Sequence, residues 1–262
     1  MIAQSPRPLD SLYNGEMPAV VVKGVFNPSQ CRRLMERFEE RGYFDREMVD
    51  VETQLSGGPY LDLGTSLGRL GANPDEFFAH AESTHALLAH LFDGLENPVQ
   101  ALYRTLKELA PGKGVQTAVE ADGRRYGPAI FRMHGAQEGH QAHYDSVARR
   151  SKRPDYVVAT YQRQFAALLC LQRSEEEGEP FIYQCFVDAD VEEVLQEEGT
   201  WENYARQRGI ARTQVRLQPG DLYLFCTEYV HELPPIAGDA LRVVLAVFCA
   251  TSPDREELVV WS

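Results

Sequence analysis

Positive charge is scarce in this sequence, in which 26 Lys and Arg residues stand against 39 Asp and Glu residues, for a formal net charge of −13. A nucleic-acid backbone favours Lys and Arg on the contacting face, so this balance argues against a nucleic-acid partner. Apolar runs of the length needed to cross a bilayer, about 20 residues, are also missing. The opening MIAQSPRPLD lacks the basic start and apolar centre of a signal peptide. We therefore expect a cytoplasmic protein with neither a membrane nor a nucleic-acid partner.

Cysteine is sparse too: the five cysteines show no Cys-x-x-Cys spacing, and their odd number argues against a disulfide framework. This pattern is typical of a reducing compartment, and it provides no cysteine-based zinc site. The sequence also has no GxSxG elbow, no GxGxxG after a strand and no GxxxxGK loop. These absences argue against α/β-hydrolase, dinucleotide-binding and P-loop chemistry.

Helix signals dominate the chain up to about residue 115. The segment NPSQCRRLMERFEERG, residues 27–42, has an Asn or Ser N-cap at its start and Gly at its end. Two further segments, which begin at Asn73 and Asn97, open with Asn-Pro in the same way. Residues 56–74 are rich in Gly and Pro, and this composition predicts a loop.

From about residue 116 the pattern changes to short β-branched or aromatic segments separated by turn residues, including YVVATY at 156–161. Such segments are typical of a β-sandwich or barrel. One helical insert near residues 190–209 interrupts them, and no linker-like segment divides the chain. The sequence therefore predicts an α+β fold in a single domain over residues 1–262, with mainly helical support at about 1–115 and an all-β jelly-roll core at about 116–262.

The most informative segment is HYDS at 143–146, taken together with His231 and Arg242. His143 and Asp145 are two residues apart and point to the same face of a strand. Together with a second histidine they form the ligand set of a facial two-histidine, one-carboxylate iron(II) site. Alone, the His143–Asp145 pair is weak evidence for a metal site, because roughly one such pair is expected by chance at ordinary composition. Arg242 opens the apolar run LRVVLAVF, and a buried arginine needs a carboxylate partner that a keto acid would supply.

Over residues 126–250, the ordered segments HYD, GEPFIY, PGDLYLF and H…P…G…R resemble the core motifs of the iron(II)/2-oxoglutarate-dependent oxygenases. The resemblance implies a double-stranded β-helix (jelly-roll) core, with Fe(II) held by the catalytic residues His143, Asp145 and His231. It also implies that Arg242 anchors the co-substrate 2-oxoglutarate and that O2 is the oxidant.

Two positions depart from the family pattern. Many members carry Ser or Thr two residues after the arginine, where this chain has Val244. His134 stands where relatives often carry a tyrosine near the keto acid, so it is a candidate second contact to this cofactor. An ordinary loop or packing role for His134 is the alternative.

A basic cluster follows the HYD motif and is a candidate substrate-binding surface, because cationic side chains beside the metal would attract an anionic substrate. The alternative is a solvated loop that balances nearby acidic residues. The arginines of the cluster are Arg149, Arg150, Arg153 and Arg163.

The function predicted from these motifs is hydroxylation, or another oxidation, of an unactivated carbon in a small metabolite, with release of succinate and CO2. The metabolite would be anionic if the basic cluster binds it. Related halogenases replace the metal-binding carboxylate with a small residue to make room for halide, so Asp145 favours hydroxylation over chlorination. Two alternatives stay open: a cupin-like metalloenzyme that does not use 2-oxoglutarate, and a non-catalytic jelly-roll binding protein. Nothing in the sequence points to a particular oligomeric state.

Overall fold

The computed structural model describes residues 5–45, 54–55, 61–149, 155–174, 178–197 and 199–262. The strands in these ranges are β1 (Val20–Val22), β2 (Gln54–Leu55), β3 (Leu61–Leu63), β4 (Gly114–Thr117), β5 (Ile130–His134), β6 (His140–His143), β7 (Arg163–Gln172), β8 (Phe181–Phe186), β9 (Arg212–Gln214), β10 (Leu222–Cys226), β11 (Tyr229–Leu233), β12 (Arg242–Thr251) and β13 (Glu257–Trp261). The helices are α1 (Pro8–Tyr13), α2 (Pro28–Glu40), α3 (Leu67–Leu70), α4 (Pro74–Leu91), α5 (Pro98–Leu109), α6 (Ala189–Gln196) and α7 (Trp201–Arg208).

Two sheets face each other across a cavity, the arrangement predicted for a jelly roll. The major sheet has the order β1-β10-β7-β12-β5-β3-β2, and β13 continues beside β12 and pairs with β4. The minor sheet has the order β6-β11-β8-β9. Along β12 the side chains alternate between the two faces: Arg242 and Val244 line the cavity, whereas Val243 and Leu245 enter the hydrophobic core on the other face. This alternation is the period-two geometry of a strand.

The three helices predicted in the first part of the chain are confirmed. Asn27, Asn73 and Asn97 cap α2, α4 and α5 with their side-chain oxygens, and a proline follows each cap. Helix α2 buries its apolar face against β7, and the ring of Phe38 meets Phe131 of β5 edge-on at 4.9 Å. The N-terminal helices therefore cover the outer face of the major sheet.

Two predictions of local structure were wrong. Within the predicted loop over 56–74, the part from residue 61 onward contains β3 and α3, because the short segment LDL pairs with β5. The segment YVVATY at 156–161 forms a 3-10 turn over Val157–Thr160 in place of a strand. Among the described residues this segment pairs with no strand, and only Val158 is buried within the turn.

The predicted helical insert forms α6 and α7, which lie on the outer face of the minor sheet. Trp201 meets Tyr183 of β8 edge-on at 5.1 Å, and both residues share a hydrophobic cluster with Val191 and Val230. On the other side of the molecule, one large cluster joins the N-terminal helices to the major sheet. This continuity supports the single-domain interpretation, which stays a prediction. Among the described residues, no helix combines the length and the apolarity that a membrane span needs.

Candidate active site

Three side chains converge at the edge of the minor sheet that faces the cavity. His143 ends β6 and lies directly opposite His231 of β11, and Asp145 follows β6 by two residues. One nitrogen or oxygen from each of the three lies within 4.8 Å of the others. The Oδ2 atom of Asp145 is 3.7 Å from Nε2 of His143 and 3.7 Å from Nε2 of His231. These two imidazoles and one carboxylate could therefore hold a single ion from one side and leave its other side open.

Hydrogen bonds fix which nitrogen of each histidine faces this point. Nδ1 of His143 lies 2.7 Å from the backbone oxygen of Gln141, and Nδ1 of His231 lies 2.8 Å from that of Tyr229. A carbonyl oxygen can only accept, so each Nδ1 carries a proton, and in the neutral imidazole each Nε2 presents a lone pair. Two lone pairs and a carboxylate then face one another, and three acceptors repel unless a cation lies between them. The residues present fit a metal ion.

Asp145 is held in place by contacts from β7 and from the turn between β10 and β11. Its backbone N–H donates to the oxygen of Thr227 at 2.9 Å, and its own carbonyl accepts from the Thr227 hydroxyl at 2.7 Å. From β7, the side-chain amide of Gln164 donates to the same carbonyl at 3.4 Å and accepts from the N–H of Val147 at 2.8 Å. These hydrogen bonds fix the loop that carries the carboxylate. These hydrogen bonds could not be predicted from the sequence, because Gln164 and Thr227 are distant from Asp145 in the chain.

Arg242 lies at the other end of the same cavity. It opens β12 opposite His134, it is only 7% exposed, and it donates a hydrogen bond to the hydroxyl of Tyr223. In the part of the chain that the structure describes, no carboxylate forms an ion pair with Arg242. A buried guanidinium without an anionic partner is costly, so this position fits the distal carboxylate of a keto acid.

Tyr223 is a further contact at this end of the cavity that the sequence analysis missed. Burial raises the pKa of its hydroxyl to about 12, although the nearby guanidinium of Arg242 lowers it. The hydroxyl is therefore protonated at neutral pH and can donate to a carboxylate while it accepts from Arg242. The sequence pattern could have identified Tyr223: in PGDLYLF, strand alternation places Tyr223 and Phe225 on the same face, and both line the cavity.

A row of imidazoles connects the two ends of the cavity. The ring centres of His134 and His140 are 5.8 Å apart, those of His140 and His143 are 5.3 Å apart, and those of His143 and His231 are 4.3 Å apart. His134 is 2% exposed and lines the cavity beside Arg242, as a second keto-acid contact would require. Burial lowers the pKa of His140 to about 3, so its ring is neutral at pH 7.

The structure describes two arginines of the predicted basic cluster, whose role in substrate binding stays a prediction. Arg149 forms an ion pair with Glu192 of α6 at 3.8 Å, and Arg163 forms an ion pair with Asp10 and covers the ring of Tyr13 at 4.7 Å. Neither arginine lines the cavities beside the three ligand candidates. Strand alternation explains why Arg163 points away from the cavities: residues 164, 166 and 168 of β7 point into them, so residue 163 lies on the opposite face. Arg150 and Arg153 lie outside the described residues.

Comparison with known proteins places this chain in a family. The model of the family described as "Carrier-protein-independent halogenase WelO5" matches residues 1–262. An N-substituted L-amino acid dioxygenase from Burkholderia ambifaria AMMD has a similar structure, with a TM-score of 0.61, 15% identity and coverage of 97% of this chain and 90% of the other. HygX from Streptomyces hygroscopicus, solved with nickel and 2-oxoglutarate bound, has a TM-score of 0.52 at 12% identity, with coverage of 94% and 88%. No curated protein matches the sequence.

At these identities the structural likeness shows the fold, and it confirms the predicted jelly roll. The family match confirms the resemblance that the sequence motifs indicated. The chain is a non-haem iron, 2-oxoglutarate-dependent enzyme of the class that uses Fe(II), 2-oxoglutarate and O2.

Proposed function

The chain belongs to the WelO5 family of carrier-protein-independent halogenases, and from the geometry of Asp145 we propose that this member hydroxylates its substrate in place of halogenating it. In the halogenases of this class, a small residue leaves the third ligand position to halide. Here a carboxylate oxygen lies 3.7 Å from both Nε2 atoms. The position that halide would need is therefore filled, and this single observation carries the proposal.

The residues of the chain divide the remaining work between the two ends of the cavity. His143, Asp145 and His231 would hold the iron, which when bound supplies the activation of O2. Arg242 would bind the distal carboxylate of 2-oxoglutarate through two parallel N–H donors, and Tyr223 would add a third hydrogen bond. The substrate is a small molecule, and the reaction releases succinate and CO2.

The walls of the cavity support this chemistry because they keep water away from the reacting groups. The side chains between the metal position and Arg242 are mostly apolar, and a dry cavity strengthens each electrostatic contact inside it. The residues that line it with aliphatic carbon are Ile130, Ala166, Leu168, Ile182, Val244 and Ala246. Val244, which stands where many members carry Ser or Thr, is part of this apolar wall.

Two measurements test the proposal in order. Anaerobic addition of Fe(II) and then 2-oxoglutarate should produce the weak visible charge-transfer band of the chelated keto acid, and the band should be absent when either component is omitted. Aerobic turnover with a panel of small metabolites in chloride buffer should then give products heavier by one oxygen, together with succinate. Chlorinated products would refute the hydroxylase assignment, and substrate turnover without 2-oxoglutarate would favour the cupin-like alternative.

A further inference from the structure

A second cavity opens beside the three ligand candidates, on the side away from Arg242. It shares five residues with the first cavity: Arg132, His140, His143, Asp145 and Phe248. Elements that do not line the first cavity complete its walls: helix α3 and the residue before it contribute Ser66 to Arg69, and β13 contributes Trp261. A molecule in this cavity would lie against the metal ligands without displacing a keto acid bound at Arg242.

Two guanidinium groups line this second cavity, and one buried carboxylate orients both. Asp62 of β3 is fully buried, and its oxygens lie 3.3 Å from Nη1 of Arg69 and 3.7 Å from Nε of Arg132. Asp62 and Arg132 are also direct cross-strand partners between β3 and β5. A guanidinium is a planar group with five N–H donors, so contact with Asp62 fixes the plane of each group beside the cavity.

The indole of Trp261 lines the same cavity. It stacks on the ring of Phe248, with the ring centres 5.9 Å apart. The neighbouring walls formed by Leu67, Val147 and Phe248 are apolar.

The geometry points to this second cavity as the substrate pocket and to an apolar small molecule with a carboxylate as its occupant, held by Arg69 and Arg132. This inference rests on the proposed function for the placement of the metal. Arg132 lines both cavities, whereas Arg69 lines only the second. Arg69 is therefore the residue that separates substrate recognition from binding of the keto acid.

The test uses Trp261 as a reporter inside the cavity. The chain has two tryptophans, and the other, Trp201, packs against Tyr183 on the far face of the minor sheet. In a Trp201→Phe background, anaerobic protein saturated with Fe(II) and 2-oxoglutarate is titrated with acids and their primary amides. The pairs are N-acetyl-L-leucine with N-acetyl-L-leucinamide, and 4-phenylbutyrate with 4-phenylbutyramide. Saturating 2-oxoglutarate keeps the probes out of the first cavity.

At least one acid should change the Trp261 fluorescence and bind at least tenfold more tightly than its amide. Arg69→Gln should remove this preference, and Arg69→Lys, which keeps the charge but not the planar group, should reduce it. Arg149→Gln is the matched control, because Arg149 pairs with Glu192 outside the cavity, and it should keep the preference. The dissociation constant of 2-oxoglutarate should stay the same in all three variants.

Three results would overturn the inference: no acid alters the fluorescence, the amides bind as well as the acids, or Arg69→Gln keeps the preference for acids. If Arg69→Gln does not fold, the preference for acids over amides is compared between Arg69→Lys and Arg149→Gln, and an equal preference in the two variants overturns the inference.

The charge-transfer band is a separate readout of the proposed function. A wild type that lacks the band refutes the iron and keto-acid assignment even if acids are preferred, and a band without preference for acids refutes only the substrate inference.

Discussion

Replacing Arg242 with methionine should separate binding of the keto acid from stability of the fold. The wild-type guanidinium is buried and lies at the end of the cavity without a carboxylate partner among the described residues. Loss of one partner of a buried, hydrogen-bonded charge pair costs about 2–5 kcal/mol. Since about 1.4 kcal/mol is a tenfold change, the dissociation constant of 2-oxoglutarate should rise at least about 30-fold.

The stability of the unliganded protein should respond differently to the same substitution. Arg242→Met removes the hydrogen bond to Tyr223, a loss of about 1.5–3 kcal/mol for a charged donor. It also removes a buried charge whose desolvation costs several kcal/mol. The two changes offset each other, so the free energy of unfolding in urea should stay within about 1 kcal/mol of the wild-type value.

Ligand-induced stabilisation gives a direct assay of this difference. At a 2-oxoglutarate concentration about 100 times the wild-type dissociation constant, binding stabilises the wild type by about 2.7 kcal/mol and a variant weakened 30-fold by about 0.9 kcal/mol. Arg163→Met, which breaks the ion pair with Asp10 away from the cavity, is the control and should keep the full stabilisation. An Arg242→Met protein that binds 2-oxoglutarate normally but loses more than about 3 kcal/mol of unliganded stability would show that Arg242 is structural.

Three further substitutions or measurements follow from other parts of the structure. Asp145→Ala should lower coupled succinate formation at least about 100-fold, because even groups that only support a metal ligand cost about 10–100-fold when removed; full activity would remove Asp145 from the ligand set. Glu192→Gln weakens the acceptor that Tyr144 uses next to the metal ligands, and it should cost about 1 kcal/mol of stability, checked by urea unfolding. Burial raises the pKa of every cysteine thiol, and only Cys185 is partly exposed, so at most one thiol should react with a disulfide reagent at pH 8 before denaturant is added and five afterwards.

The site was predictable from the sequence where it depends on the period of a strand and on short motifs. His143 and Asp145 share a face because they are two residues apart, and Arg242 is buried because it opens a long apolar strand. The same rule would have found Tyr223, which is one alternation away from Phe225. These features are local, so a single segment of sequence contains them.

The parts that were missed depend on partners distant in the chain. The segment at 61–63 becomes a strand only because β5 offers an edge, and that pairing brings Asp62 to Arg132. The basic residues after the HYD motif could be placed only once Glu192 and Asp10 were known as their partners. The composition of that segment showed that it is positively charged, but it could not show where its side chains point.

The repulsion between the two Nε2 lone pairs and the carboxylate links iron supply to the lifetime of the protein. Whatever free energy the ion releases on binding is added to the stability of the native fold. Iron scarcity would then do more than slow turnover: it would enlarge the fraction of chains that open far enough for a protease to cut. The abundance of the enzyme, and not only its rate, should follow the metal content of its surroundings.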